Sequence, residues 1–172
     1  PSIAVELEFY LFQLSAITKF INPPLDPVTG KPGRDTQVYY LADLDGISPF
    51  INEVTKHCQQ MEVPVEAVVA EYAPGQFEIN LQYRSDVIRA CDDAIYLKRI
   101  VKAVAKKYGY GATFMAKPYA DYSGSGMHIH ASIKNRAGEN IFKGLGKRPS
   151  KLLQHAIAGL QQSFYDFMLV FA

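Results

Sequence analysis

Three stretches in which polar and apolar side chains alternate constrain this chain more than any other feature. In Val5-Glu-Leu-Glu-Phe-Tyr-Leu-Phe12 the carboxylates of Glu6 and Glu8 leave one face while the apolar residues around them take the other. The run Gln76-Phe-Glu-Ile-Asn-Leu-Gln-Tyr83 sets Gln76, Glu78, Asn80 and Gln82 opposite Phe77, Ile79, Leu81 and Tyr83. In Met127-His-Ile-His-Ala-Ser-Ile133 the polar set is His128, His130 and Ser132. A period of two is the mark of a strand with one buried face, so three such strands can build a polar, metal-binding cavity over an apolar core.

Between the strands the periodicity lengthens. Ser48-Pro49 supplies a cap and a first-turn proline for a helix whose stripe is Phe50, Ile51, Val54, Cys58 and Met61, ending before Pro64. A second helix is expected from about Ser85 or Asp86 to Tyr108, with Ile88, Cys91, Ile95, Val101, Val104 and Ala105 inward and Gly109 ending it. A third begins near Ser150 and carries Leu152, Leu153, Ile157, Leu160, Phe164, Phe167 and Met168. Residues 22 to 35 are rich in proline and glycine, which favours an exposed loop with a disordered tip. Ala112 to Lys117 and Met127 to Lys134 are expected to pair across a Gly/Ser-rich connection. The fold class is therefore α+β, a mostly antiparallel sheet with helices packed behind it.

Composition narrows the function classes. With 172 residues, 48% of them hydrophobic, the chain can bury one sizeable core. Its formal charge of +1 and its scattered basic residues give no footprint for nucleic acid or for a membrane surface. Cys58 and Cys91 both fall on expected apolar stripes and belong to no Cys/His cluster, so they are read as buried thiols of a reducing, cytoplasmic compartment. No apolar run reaches membrane-span length and no signal peptide is evident. The chain begins directly on a strand without Met and ends without a cap or turn residue, from which a piece of a longer protein is expected.

Candidate chemistry follows from which acids and imidazoles share a face. Isolated carboxylates on a strand are usually just its wetted side. Glu6 and Glu8, about 6.5 to 7 Å apart by strand rise, suit two neighbouring ions better than one, and their repulsion is costly in a cavity without cations. Glu71-Tyr-Ala-Pro-Gly-Gln-Phe-Glu78 carries an acid before a Pro-Gly turn and another on the strand after it, so the turn lets Glu71 and Glu78 converge. Several carboxylates with one imidazole are a donor set for magnesium or manganese. Ser123-Gly-Ser-Gly-Met-His-Ile-His130 feeds two same-face histidines from a small flexible loop, as an anionic substrate at a metal site requires. His57 and His155 lie in expected helices and are read as ordinary helix residues.

These segments together resemble the glutamine synthetase family, over essentially the whole chain. Val-Glu-Leu-Glu-Phe-Tyr-Leu, Ala-Pro-Gly-Gln-Phe-Glu-Ile-Asn-Leu, Ala-Cys-Asp-Asp-Ala and Ala-Thr-Phe-Met-Ala-Lys-Pro-Tyr look most like its bacterial gamma-glutamylpolyamine synthetase branch. The resemblance implies a central segment, residues 1 to 172, of the catalytic domain of a ligase. That enzyme uses ATP to join the gamma-carboxylate of glutamate to an amine, through gamma-glutamyl phosphate, and the branch resemblance implies a polyamine such as putrescine as the acceptor. It also implies roles. Glu8, Glu71 and Glu78 would hold one magnesium or manganese ion, with Glu71 and Glu78 beside the chemistry. Glu6 and His128 would hold a second ion that bridges the ATP phosphates. His130 would contact the nucleotide phosphates and Ser132 would lie on the nucleotide side, while Gly124 would meet glutamate through its backbone. Ser123 stands where the family usually has Asn, which removes one side-chain contact near the glutamate and amine sites.

The family's N-terminal domain and the C-terminal stretch with the sixth metal ligand, a glutamate flap and substrate arginines have no counterpart in this sequence, so the segment alone is expected to be inactive. Family members form ring-shaped oligomers, and the same is expected of the complete protein. Three other readings are an ammonia-using glutamine synthetase, a non-catalytic structural member and an unrelated metal-binding hydrolase. The five ligands present argue against the non-catalytic reading, and activity without ATP would mark the hydrolase.

Overall fold

A computed structural model describes residues 1–14, 22–25, 29–32, 36–146 and 148–171, with the side chain of Phe171 not described. The long first strand, β1 (Ser2–Gln13), organises the rest. Along one edge it pairs antiparallel with β3 (Gln76–Leu81), which pairs in turn with β2 (Val65–Ala70). Its other edge is long enough to take two short strands in succession. β5 (Met127–Ser132) pairs with Ser2 to Leu7, and β4 (Tyr110–Thr113) pairs with Tyr10 to Gln13. The expected pairing of the last two strands with each other is thus replaced by a shared partner, and the first of them is shorter and earlier than Ala112 to Lys117. Twelve residues of β1 offer a stiffer, better covered template than either short strand can offer the other.

The alternation is realised as two faces. Val5, Leu7, Phe9 and Leu11 point with Phe77, Ile79 and Leu81 into a core shared with α2 (Ser48–Gln60) and α3 (Val87–Lys107). Burying each of the larger side chains contributes about 1.5–3 kcal/mol, and this apolar layer is what holds the opposite face of the sheet in place. The short α1 (Leu41–Gly46) precedes α2 and was not anticipated.

Both helices behind the sheet have the expected ends. Pro49 stands in the first turn of α2, the Asp86 side chain accepts the Arg89 N–H at the start of α3, and Gly109 adopts φ +75° just past its end. Val101, Val104 and Ala105 of α3 face inward as expected, but the first half of the helix departs from the apolar stripe. Ala90, Asp93, Ala94, Leu97, Ile100, Val101, Val104 and Ala105 are buried, whereas Ile88 and Ile95 are 71% and 64% exposed and Cys91 is exposed. The reason is Asp93, which takes the Nε–H bonds of Arg84 (2.8 Å) and Arg89 (2.9 Å). A carboxylate doubly paired in this way can be buried, and it rotates the helix away from the face its isoleucines would choose. Only Cys58 of the two thiols is buried, and burial pushes its pKa up to about 11.

α4 (Lys151–Ser163) starts at its Ser150 cap, whose Oγ accepts the Leu153 N–H, and a turn separates it from α5 (Met168–Phe171). No described residue of α4 is buried, so the third helix does not pack behind the sheet. In the proline-rich loop Leu25, Thr29, Gly30 and Lys31 are exposed as expected, but Pro23 and Pro24 are buried, Pro23 lying against the turn at Gly75. The tip of that loop falls at residues 26–28 and 33–35, outside the described residues. Among the described residues no helix is long and apolar enough to cross a membrane.

Candidate functional site

Register places the acids and imidazoles side by side. Across β1 and β3, Glu8 stands opposite Glu78 and Glu6 opposite Asn80, and across β1 and β5, Glu6 stands opposite His128 and Ala4 opposite His130. A strand pair with like charges directly facing is destabilised unless something offsets the repulsion. Between β2 and β3, the segment Glu71 to Gln76 closes through Glu71 N–H to the Gln76 carbonyl and Gln76 N–H to the Ala73 carbonyl. Pro74 and Gly75, the latter at φ +76°, fit the central positions of a type II turn. A side chain at Gly75 would also strike the Leu11 carbonyl oxygen at 2.7 Å. The turn therefore brings Glu71 back beside Glu78.

Glu6, Glu8, Glu71, Glu78, His128 and His130 all line one open cavity of about 630 Å³, with Asn80, Tyr39, Glu66 and Tyr83 around them. Ser132 is on the same face of β5, opposite Ser2, but does not line the cavity. His128 Nδ1 lies 3.1 Å from Glu6 Oε2 and 3.6 Å from Glu78 Oε2, and His130 Nε2 lies 2.9 Å from Glu6 Oε1. One ligand atom each from Glu6, Glu78 and His128 falls within 4.8 Å of the others. The tightest cluster thus draws from both of the ligand sets expected from sequence. Among the described residues no lysine or arginine forms an ion pair with any of these four glutamates.

The charge is uneven in its effects. Burial, then the charges of Glu8 and Glu78, raise the Glu71 pKa above the ordinary carboxylate value. Burial raises that of Glu78 as well, with Glu6 and Glu8 adding to it against the opposing Asn80 hydrogen bond. For Glu6 burial acts upward, but hydrogen bonds from Asn80 and His128 and the charge of His130 outweigh it and hold the pKa low. A raised carboxylate stabilises the fold below its unfolded pKa, and that contribution is lost as pH rises through the folded value; the lowered Glu6 acts oppositely, in acid. We therefore expect the melting temperature of the metal-free chain to fall as pH rises above 4.5. The stabilisation given by manganese or magnesium should grow over the same range as protons leave the site. Melting curves from about pH 5 to 7.5, with and without manganese, check both slopes.

The donor set fits a hard divalent cation. Four carboxylates and a half-exposed imidazole face one space, and the buried Oδ1 of Asn80 in the same wall has no hydrogen-bond partner. The loop before β5 is fitted to this wall. A Cβ at Gly126 would lie 3.0 Å from His128 Nε2 and 3.1 Å from Glu8 Oε1, and the Gly126 carbonyl accepts the Glu8 N–H at 3.1 Å. The Tyr10 hydroxyl donates to the Ser123 carbonyl at 2.7 Å, and burial beside Glu8 pushes its pKa up to about 12. The Gly124 carbonyl accepts from Gln76. Ser123 and Gly124 thus sit beside Glu8 without lining the cavity. Sequence reasoning gave no role to Gly126, Tyr10 or Gln76. The loop's glycine content signalled close approach but not which glycine makes it.

Over residues 1–172 the chain matches the family described as glutamine synthetase, catalytic domain. It is 42% identical over 161 residues to gamma-glutamylputrescine synthetase PuuA of Escherichia coli (strain K12), an alignment covering 93% of this chain and 34% of that protein. It is 37% identical over 141 residues to glutamate–isopropylamine ligase of a Pseudomonas species, covering 81% and 30%. A solved structure described as a GmaS/ADP complex superposes with a TM-score of 0.76 at 31% identity, covering 92% of this chain and 35% of that one. The chain spans about a third of the length of the curated relatives it matches.

Proposed function

The chain belongs to the glutamine synthetase family, and from that premise we propose that it is a central segment of the catalytic domain of an ATP-dependent glutamate–amine ligase. The observation that carries the reading is the facing pair Glu8 and Glu78, flanked by Glu6 and Glu71, with the imidazoles of His128 and His130 beside them and, among the described residues, no lysine or arginine paired to them. That wall suits a substrate complex bringing its own cations, which is what ATP brings.

In this reading Glu8, Glu71 and Glu78 would hold one magnesium or manganese ion, and Glu6 and His128 would hold a second. When bound, the ions would supply positive charge against the phosphate oxygens and the charge that develops in phosphoryl transfer. His130, which contacts Glu6, would meet the nucleotide phosphates in this reading, with Ser132 further along the same strand face. Gly124 meets glutamate through its backbone and Ser123 lies beside it. The glutamate gamma-carboxylate displaces ADP from the gamma-phosphorus, and the amine then displaces phosphate from the acyl carbon. In this reading Glu71 and Glu78 would lie next to that carbon, and a Glu71 carboxylate oxygen turned away from the ion would take the proton the amine loses.

The acceptor we propose is a polyamine such as putrescine, and ammonia is the alternative. Both relatives described above are named for amines larger than ammonia, and the family resemblance implies that Ser123 stands in place of an Asn near the acceptor side. In the complete protein, kcat/KM for a diamine should exceed that for ammonium by at least about tenfold, a difference of roughly 1.4 kcal/mol in transition-state binding. ATP turnover with glutamate, measured across diamines, monoamines and ammonium, decides it. Saturation by ammonium at lower concentration than by every diamine would assign the ammonia reaction instead. The complete protein is proposed to be a cytoplasmic homo-oligomeric ring, which sedimentation of that protein would test.

A further inference from the structure

One buried side chain joins the two halves of this site. Gln76, 2% exposed, stands opposite Tyr10 at the start of β3. Its Nε2 donates to Glu8 Oε2 at 3.0 Å and to the Gly124 carbonyl at 2.9 Å, residues 68 and 48 positions away in the chain. Its Oε1 accepts the Ala73 N–H at 3.3 Å. A primary amide has two N–H bonds and one carbonyl, so the contact set uses both donors and fixes which way the amide faces. The backbone beneath it is held too, because the Gln76 N–H closes the Pro-Gly turn on the Ala73 carbonyl.

We propose that Gln76 is a positioning residue that couples occupancy of the metal site to binding of the amino-acid substrate, by tying Glu8 and the Gly124 carbonyl to one amide nitrogen. This rests on the reading above for what binds at each end. With Oε2 of Glu8 held by the amide, its Oε1 is left on the side of Gly126 and His128. When a cation draws on Glu8, the shared nitrogen passes any shift to the Gly124 carbonyl, and a ligand that orders the loop at Gly124 fixes Glu8 in return. Such coupling is reciprocal by linkage, so each ligand must tighten the other by the same factor. The Tyr10 bond to the Ser123 carbonyl also orders the loop, and although Tyr10 lies near enough to Glu8 to feel its charge, its hydroxyl donates to Ser123 and not to Glu8. It therefore separates ordering of the loop from transmission between the sites.

The test is calorimetric binding of L-glutamate to the complete protein with and without manganese, in wild type, Gln76→Met and Tyr10→Phe. The expected result is that manganese tightens glutamate at least about fivefold in wild type and in Tyr10→Phe, and less than about twofold in Gln76→Met. If Gln76→Met does not fold, Gln76→Glu serves. It keeps an oxygen for the Ala73 N–H and sets another against Glu8 Oε2 and the Gly124 carbonyl, and it should lose the coupling as well. A Gln76 variant that keeps the wild-type ratio overturns the proposal, as does equal loss in Tyr10→Phe. A wild type that binds manganese but no glutamate under any condition refutes the functional reading itself, and the coupling falls with it.

Discussion

Glu78→Gln in the complete protein will lower amide formation by about 10³-fold, the effect of losing some 4 kcal/mol of charge stabilisation at the metal, and will raise the melting temperature of the metal-free form at neutral pH. The two effects have one cause. Glu78 is 8% exposed, directly faces Glu8 and has its pKa raised by burial and by the neighbouring acids. Without a cation its charge is a liability to the fold, and glutamine removes the charge while keeping the shape and an oxygen for the Asn80 Nδ2–H bond. Steady-state rates and metal-free melting curves on the same preparation check the pair. A variant that loses both activity and metal-free stability would mean that Glu78 serves the fold rather than a cation.

Gly126→Ala is expected to cost about threefold to tenfold in kcat/KM, since the give it demands is a fraction of the displacement of roughly 1 Å that costs about 10²-fold at a catalytic group. Its added methyl would sit 3.0 Å from His128 Nε2 and 3.1 Å from Glu8 Oε1, so one of these must move. Both belong to the wall proposed to hold metal, and the apparent manganese affinity should weaken in step with the rate. Gly138→Ala is the matching control for loop glycine content, since nothing lies within 4 Å of its Cβ position and the residue does not line the cavity. Its positive φ makes a modest loss of stability the expected result there, with manganese affinity kept. Equal losses of manganese affinity in both variants would show that close approach at Gly126 is not what matters.

The site was legible where its chemistry rides on a period of two. Once β1 and β3 were recognised as strands, Glu6, Glu8 and Glu78 had to leave the core face, because Leu7, Phe9 and Ile79 could not. The Pro-Gly turn announced the return of Glu71. Pairing was less legible: β4 and β5 are too short to declare a partner, and the choice between each other and β1 is settled by coverage of a long edge. The first half of α3 departs from the expected face because an apolar period assigns no weight to Asp93, which pairs with Arg84, nine residues earlier, and with Arg89, whereas Val101, Val104 and Ala105 are buried as expected. Gln76 stood in plain view on the polar face, but a glutamine there is indistinguishable from a solvated one until its partners, Glu8 and Gly124, are known.

Manganese placed by anomalous diffraction in crystals of the complete protein tests the central claim most directly. The account predicts density bounded by the carboxylates of Glu6, Glu8, Glu71 and Glu78 and the His128 imidazole, in the cavity those groups line. Crystals saturated with manganese that leave this cavity empty, with lysine or arginine from elsewhere in the protein neutralising the four glutamates, would contradict it.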